Sequence, residues 1–130
     1  LVLYLGLWEK KMLEIMGQKK IPSKKNNMGI RHNRMYKPKE LQVFEDYVGW
    51  LANQSMAECG WVTTEEPVEM VLSVVFGDRR KRDIQNCFGS VCDALNGIVY
   101  KDDSQIRRIV GSKSYEKGVW SFKIKIKVLE

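Results

Sequence analysis

The run VEMVLSVVF, residues 68–76, constrains the fold of this 130-residue chain more than any other segment. It is rich in β-branched residues and almost uncharged, so it reads as a buried central strand, ended by Gly77 and Asp78. Every other element has to be placed against it. From Ile84 the apolar residues Ile84, Cys87, Phe88, Val91, Leu95 and Ile98 follow helical spacing. Asp83 is placed to cap that helix and Asn96-Gly97 to end it, while Asn86, Gly89, Ser90 and Asp93 fall on its other face.

The same reading extends outward. Lys11 to Gly17 (KMLEIMG) predicts a strand. Pro38 opens a helix in which Leu41, Phe44, Val48 and Leu51 recur at steps of three or four, running to about Cys59 and stopping at Gly60. Gln105 to Gly111 and Val119 to Leu129 predict two strands joined around SKSYEKG. In the last of these Trp120, Phe122, Ile124, Ile126 and Val128 alternate with Ser121, Lys123, Lys125 and Lys127. The order β, long loop, α, β, α, β, β implies an α/β (α+β) fold, a mixed β-sheet flanked by two main helices, in a single domain over residues 1–130. A chain of this length buries roughly two thirds of the surface its unfolded form exposes, and 44% apolar residues with only three prolines argue against disorder.

Charge is segregated along the chain. Residues 15–39 carry eight Lys or Arg and no acid, and residues 40–69 carry seven acids and no base. This is the footprint of a basic face that meets an anionic partner, nucleic acid above all, or of a solvated charge run. Between the first strand and Pro38 the basic segment KKIPSKKNNMGIRHNRMYK has turn residues and no apolar period, so it reads as a long loop. The apolar start LVLYLGLW is far short of the roughly 20 residues that span a bilayer, so no membrane segment is expected. Cys59, Cys87 and Cys92 with the lone His32 suggest neither a disulfide framework nor a zinc site, which favours a reducing cytoplasm.

Three acids could converge on a magnesium ion, which takes oxygen ligands from one or two carboxylates plus water and phosphate. Asp83 sits where strand meets helix, and Asp102 and Asp103 sit in the turn YKDDSQI. Asp93 is excluded as a partner of Asp83, because ten helical residues at 1.5 Å each separate them by about 15 Å. The six residues Ile98–Asp103 extend to at most about 20 Å, enough to bring Asp103 back along the helix. The plainer alternative also stands: Asp83 a helix cap, Asp102-Asp103 a turn, RRKR (79–82) a solvated strand exit.

The stretch RDIQNCFGSVCDALNGIVYKDDSQI, residues 82–106, resembles the signature region of the RusA-type Holliday junction resolvases, approximately D-x-D-N-x-x-K-x-x-x-D-A-L-N-G-x-x-Y-x-D-D-x-Q-I. IPSKKNN, residues 21–27, is similar to that family's P-S-x-N-type segment. The resemblance implies a small homodimer, often of prophage origin, that binds four-way DNA junctions and nicks symmetry-related strands with Mg2+, with Mn2+ as the other ion to consider, in recombination and repair. Carried onto this chain, it places metal binding and catalysis on Asp83, Asp103 and Asp102. Two departures stand out: Gln85 replaces the second carboxylate of D-x-D and Gly89 the lysine. Gln85 still offers a carbonyl oxygen to the metal shell. Lys24, Lys25, Asn27, Arg31, Arg34, Arg79, Arg80, Lys81 and Arg82 are the expected DNA contacts. A catalytically weakened junction-binding protein is the rival reading. An RNA-binding module is a third, for which no RRM-type aromatic signature appears.

Overall fold

The computed structural model describes residues 12–23, 29–31 and 34–129. Six strands and two main helices follow in the order β1 (Met12–Gly17), β2 (Gly29–Arg31), β3 (Arg34–Tyr36), α1 (Lys39–Cys59), β4 (Val68–Phe76), α2 (Gln85–Leu95), β5 (Ile106–Tyr115) and β6 (Ser121–Val128). The main sheet has the order β1-β6-β4-β5. β6 runs antiparallel to both β1 and β4, and β4 runs parallel to β5. The fold is therefore the expected mixed sheet with two helices.

Alternation fixes which face of the sheet is covered. Val68, Met70, Leu72, Val74 and Phe76 of β4, Phe122, Ile124, Ile126 and Val128 of β6, and Leu13 and Ile15 of β1 are buried. Their neighbours Glu69, Val71, Ser73 and Val75 on β4 are only half-buried, on the opposite face. β4 is thus the central, buried strand expected, fully buried on one face and half-buried on the other.

α1 packs on the covered face through Leu41, Phe44, Val48 and Ala52, with Phe44 and Tyr47 meeting the Phe122 ring edge-on at 5.9 and 6.4 Å. Its ends match the sequence reading. The Pro38 carbonyl accepts the Leu41 and Gln42 N–H groups, and Gly60, at φ 74, takes the left-handed conformation that closes the last turn. α2 buries Cys87, Ser90, Val91, Cys92, Ala94 and Leu95. Ser90 lies on the predicted polar face yet is fully buried, donating its hydroxyl to the Pro22 carbonyl and so tying the start of the basic segment to α2.

Two further expectations change. The long loop contains a short antiparallel hairpin, β2–β3, with Arg31 opposite Arg34. Strands of only three residues, Gly-Ile-Arg and Arg-Met-Tyr, leave too little alternation to be seen in a sequence. The two C-terminal strands are also not a hairpin: β4 lies between them, and Ser112–Tyr115 extends β5 instead of forming the turn. Those polar residues looked like a turn because β5 is an edge strand, exposed along nearly its whole length. The connection folds over the end of β4, where Glu116 N–H reaches the Phe76 carbonyl and Gly118 N–H the Gly77 carbonyl.

Candidate active site

The chain leaves β4 at Gly77 beneath the Trp120 indole. A Cβ at residue 77 would come within 2.5 Å of that ring, so glycine is what lets the two approach. Arg82 then packs back on the same aromatic surface, its guanidinium 5.0 Å from the Trp120 centroid and 5.8 Å from Phe76. Both oxygens of Asp78 accept from it, Nε at 2.9 Å and Nη2 at 2.7 Å. This fork holds the Asp78 carboxyl below the usual carboxylate range and raises the Arg82 guanidinium. The four cations of RRKR therefore divide. Arg82 braces the loop, while Arg79, Arg80 and Lys81 are exposed.

Other cations gather at the same end. Lys113 donates to the Arg82 carbonyl at 2.7 Å, Arg79 lies 4.9 Å from the Tyr115 centroid, and Lys20 lies 5.0 Å from that of Trp120. Asp78, Arg79, Arg80, Lys113 and Tyr115 line a cleft of about 520 Å³. Beside it a cleft of about 290 Å³ is lined by Lys20, Glu40, Lys81, Arg82, Asp83 and Asn86. Cations held on aromatic faces around an open cleft suit a phosphate backbone.

Asp83 is exposed at the mouth of this second cleft. Its Oδ1 accepts the Gln85 N–H at 2.9 Å and its carbonyl accepts the Asn86 N–H, while the capping position of α2 is occupied by Ile84. Asp83, the expected cap, thus steadies the helix entry from one residue ahead of the observed one. Below it the Cys87 thiol is pushed up to about 11, by burial first, with Arg82 opposing and Asp83 adding to the shift. Glu40 carries no signal in the sequence that marks it as part of a site. The fold brings it to the cleft of Asp83.

Asp102 and Asp103 are elsewhere. The Asp102 carboxylate accepts the Ser104 N–H at 3.1 Å, and Gln105 Oε1 accepts the Asp102 N–H at 2.8 Å, closing a capping box on a single 3-10 turn. Hydrogen bonding from Ser104, side chain before backbone, holds the Asp102 carboxyl below its ordinary value. Gln105 Nε2 donates to the Thr64 and Glu66 carbonyls, which pins this turn beside the start of β4.

Asp83 follows the end of β4 and Asp103 precedes the start of β5, two strands that run parallel with Val68 opposite Ile106 and Phe76 opposite Tyr115. Nine residues of β4 at about 3.3 Å each put roughly 26 Å between those ends. The expected return of residues 98–103 along α2 does not occur. Instead Gly97 N–H bonds the Tyr100 carbonyl, and Val99 and Tyr100 are buried under the helix end with the Tyr100 hydroxyl on the Cys92 carbonyl. The physical reason is the topology: a parallel β-α-β unit needs its helix to return the chain to the starting end of the sheet before the second strand begins. Among the described residues, no group of three or more His, Cys, Asp or Glu is placed to hold a metal ion.

Of the remaining expected contacts, Lys24, Lys25 and Asn27 lie outside the described residues, as do His32 and the LVLYLGLW segment. Arg31 and Arg34 are backbone partners at the closed end of the β2–β3 hairpin. No helix among the described residues is long and apolar enough to cross a membrane.

The family model described as Endodeoxyribonuclease RusA matches residues 17–128, a span that contains both acid clusters and the cationic cleft. The chain belongs to the RusA family of endodeoxyribonucleases, the family of Holliday junction resolvases. No curated protein matches the chain.

Proposed function

We propose that the chain is a divalent-metal-dependent endonuclease that binds four-way DNA junctions as a homodimer, with each active site drawing Asp83 from one protomer and Asp102 and Asp103 from its partner. The observation that carries this reading is the parallel βαβ unit, which holds the two acid clusters at opposite ends of one chain. A second copy related by a two-fold axis offers the missing half. Carboxylate and amide oxygens of Asp83, Gln85, Asp102 and Asp103 suit a hard divalent cation, and Glu40 adds a carboxylate to the Asp83 cleft where Gln85 has none. A bound divalent ion supplies a Lewis acid for the scissile phosphate and a more acidic water. Arg79, Arg80, Lys81, Lys113 and Lys20 hold the backbone phosphates and set the strand's position in the cleft. Lys81 and Lys20 bring cations to the Asp83 cleft and can serve there in place of the family lysine that Gly89 replaces.

Subunit mixing tests the assignment. Asp83→Asn and Asp103→Asn should each be inactive in nicking a synthetic junction. Mixed after unfolding and refolding together, they should regain activity, because a heterodimer of the two restores one complete site. Persistent inactivity in the mixture would sink the shared site. Gln85→Asp should raise activity at low magnesium if the site follows the family plan.

One observation favours a second reading, a junction-binding protein without nuclease activity: Gln85 and Gly89 stand where the family pattern has a carboxylate and a lysine. Calorimetric titration with Mg2+ separates the two. A binding isotherm that disappears with Asp83→Asn supports the nuclease, and junction binding with no acid-dependent Mg2+ uptake supports the rival.

A further inference from the structure

We infer that an unpaired base at the exchange point of a DNA junction stacks on the Tyr115 ring, in the cleft beside that of Asp83. The inference rests on the junction-binding reading above and names a contact by which a junction is told from a duplex.

Three aromatic rings gather where β4 and β5 end. Phe76 and Trp120 are already engaged: their rings meet edge-on at 6.4 Å, and Arg82 packs on both. Tyr115 differs from them. It lies opposite Phe76 across the parallel pair, so the two side chains project from the same face of the sheet, yet Phe76 is buried and Tyr115 is 42% exposed. An aromatic ring with open surface at a cleft wall is a stacking platform, because every base has a π-face.

The backbone holds that ring in place. Tyr115 closes β5, and in the turn that follows the Glu116 N–H reaches the Phe76 carbonyl at 3.0 Å and the Gly118 N–H the Gly77 carbonyl at 2.9 Å, with Gly118 at φ 75. A platform fixed before the ligand arrives loses little freedom on binding.

The cleft suits a whole nucleotide. Its volume of about 520 Å³ is that of a small-ligand site. Phe76 and Tyr115 give it apolar wall, and Arg79, Arg80 and Lys113 give it positive charge. A phosphate alone has no use for the exposed ring, and a base alone has no use for the three cations. Arg79 joins the two functions, its guanidinium 4.9 Å from the Tyr115 centroid. Asp78, the acid of this lining, is neutralised by the Arg82 fork. Ser114 adds a hydroxyl that donates or accepts, so the cleft favours no one base.

Magnitudes restrict the site to a base that is already free. Stacking on an aromatic side chain strengthens binding by roughly five- to a hundredfold, whereas drawing a paired base out of a duplex costs as much or more and costs least for an unpaired one. The gain is therefore realised at the exchange point, where strands change partners. Because the two clefts share Phe76 and Arg82, a base fixed in one sets which phosphate lies beside Asp83 in the other.

A thermodynamic cycle between ring and base tests this through binding alone. An abasic residue is moved through the nucleotides flanking the exchange point, and gel retardation in EDTA gives the affinity of each junction for the unaltered chain, Tyr115→Phe and Tyr115→Ala. At one position, loss of the base should weaken the unaltered chain and Tyr115→Phe about five- to a hundredfold, while Tyr115→Ala should bind the abasic and intact junctions equally. If Tyr115→Ala is weakened by base removal as much as the unaltered chain at every position, the ring serves only to carry Arg79 and the inference is overturned, with junction binding untouched. Equal affinity of the unaltered chain for junction and duplex would instead remove the junction reading, and the stacked base with it. Should Tyr115→Ala fail to fold, irradiation of the unaltered chain on junctions carrying 5-iodouracil at the same positions decides: a cross-link to Tyr115 supports the stack, and cross-links only elsewhere overturn it.

Discussion

The two ends of β4 make opposite use of their acids. At the end that leads into α2, Asp83 stands among Lys20, Lys81 and Arg82 with Arg79, Arg80 and Lys113 next to it, several of them held on aromatic rings. At the other end Asp102 is fixed by a capping box and Gln105 by two backbone carbonyls, and the nearest lysine, Lys101, is engaged with Glu65 at 2.6 Å. The first end concentrates positive charge of the kind that suits a polyanion. The second holds the Asp102 carboxylate in a fixed place. Binding and rigidity are thus divided between two regions that one chain keeps apart.

That contrast can be broken or sharpened by experiment. The largest effect is expected where affinity depends on phosphate contacts: with six or more contacts, junction binding should weaken by about a thousandfold or more between 50 and 200 mM salt. Arg79→Ala and Arg80→Ala should each lower the slope of log K against log salt by about one, whereas Lys101→Ala should leave it unchanged. Equal effects at the two ends would erase the distinction. Next come the acids. Asp83→Asn and Asp103→Asn should each cut nicking by on the order of a hundredfold or more while binding in EDTA stays nearly intact, as measured by gel assays of cleavage and of retardation.

A smaller change is expected from Gln105→Ala. Loss of its bonds to Asp102, Thr64 and Glu66 should cost about 1–2 kcal/mol of stability, seen as a lower Tm, and should reduce nicking more than binding. Arg82→Ala should cost about 1 kcal/mol through its aromatic contacts and weaken binding only by loosening the loop. The smallest effect concerns pH. The Cys87 thiol is raised from 9.0 to about 11, so its neutral form is favoured in the folded state and its contribution is complete below pH 9. Stability should fall as pH rises from 9 to 11, and Cys87→Ala should flatten that part of a denaturation profile.

Much of this was legible in the residues. The apolar alternation of β4 and β6, the helical spacing of α1 and α2, and the glycine that ends α1 each express a local rule, so the element order followed from the sequence. The candidate acids were legible as a motif, yet the distances between them were not. Residues 98–103 could reach back along α2 by length alone, and the count of residues contains nothing against it. Parallel pairing of β4 and β5 rules it out, and that pairing was hidden because the polar tail of an exposed edge strand looks like a turn.

The sequence by itself determined the two helices, the strands with a clear alternation, the cationic stretch after β4 and the identity of the acids, because periodicity and turn chemistry act over a few residues. Only the tertiary structure decided that Arg82 serves Asp78 and Trp120, that Glu40 joins the Asp83 cleft, and that Asp83 and Asp103 stand at opposite ends. Those outcomes depend on which strand lies beside which, and strand order is set by burial across the whole sheet, where residues far apart in the chain compete for the same neighbours.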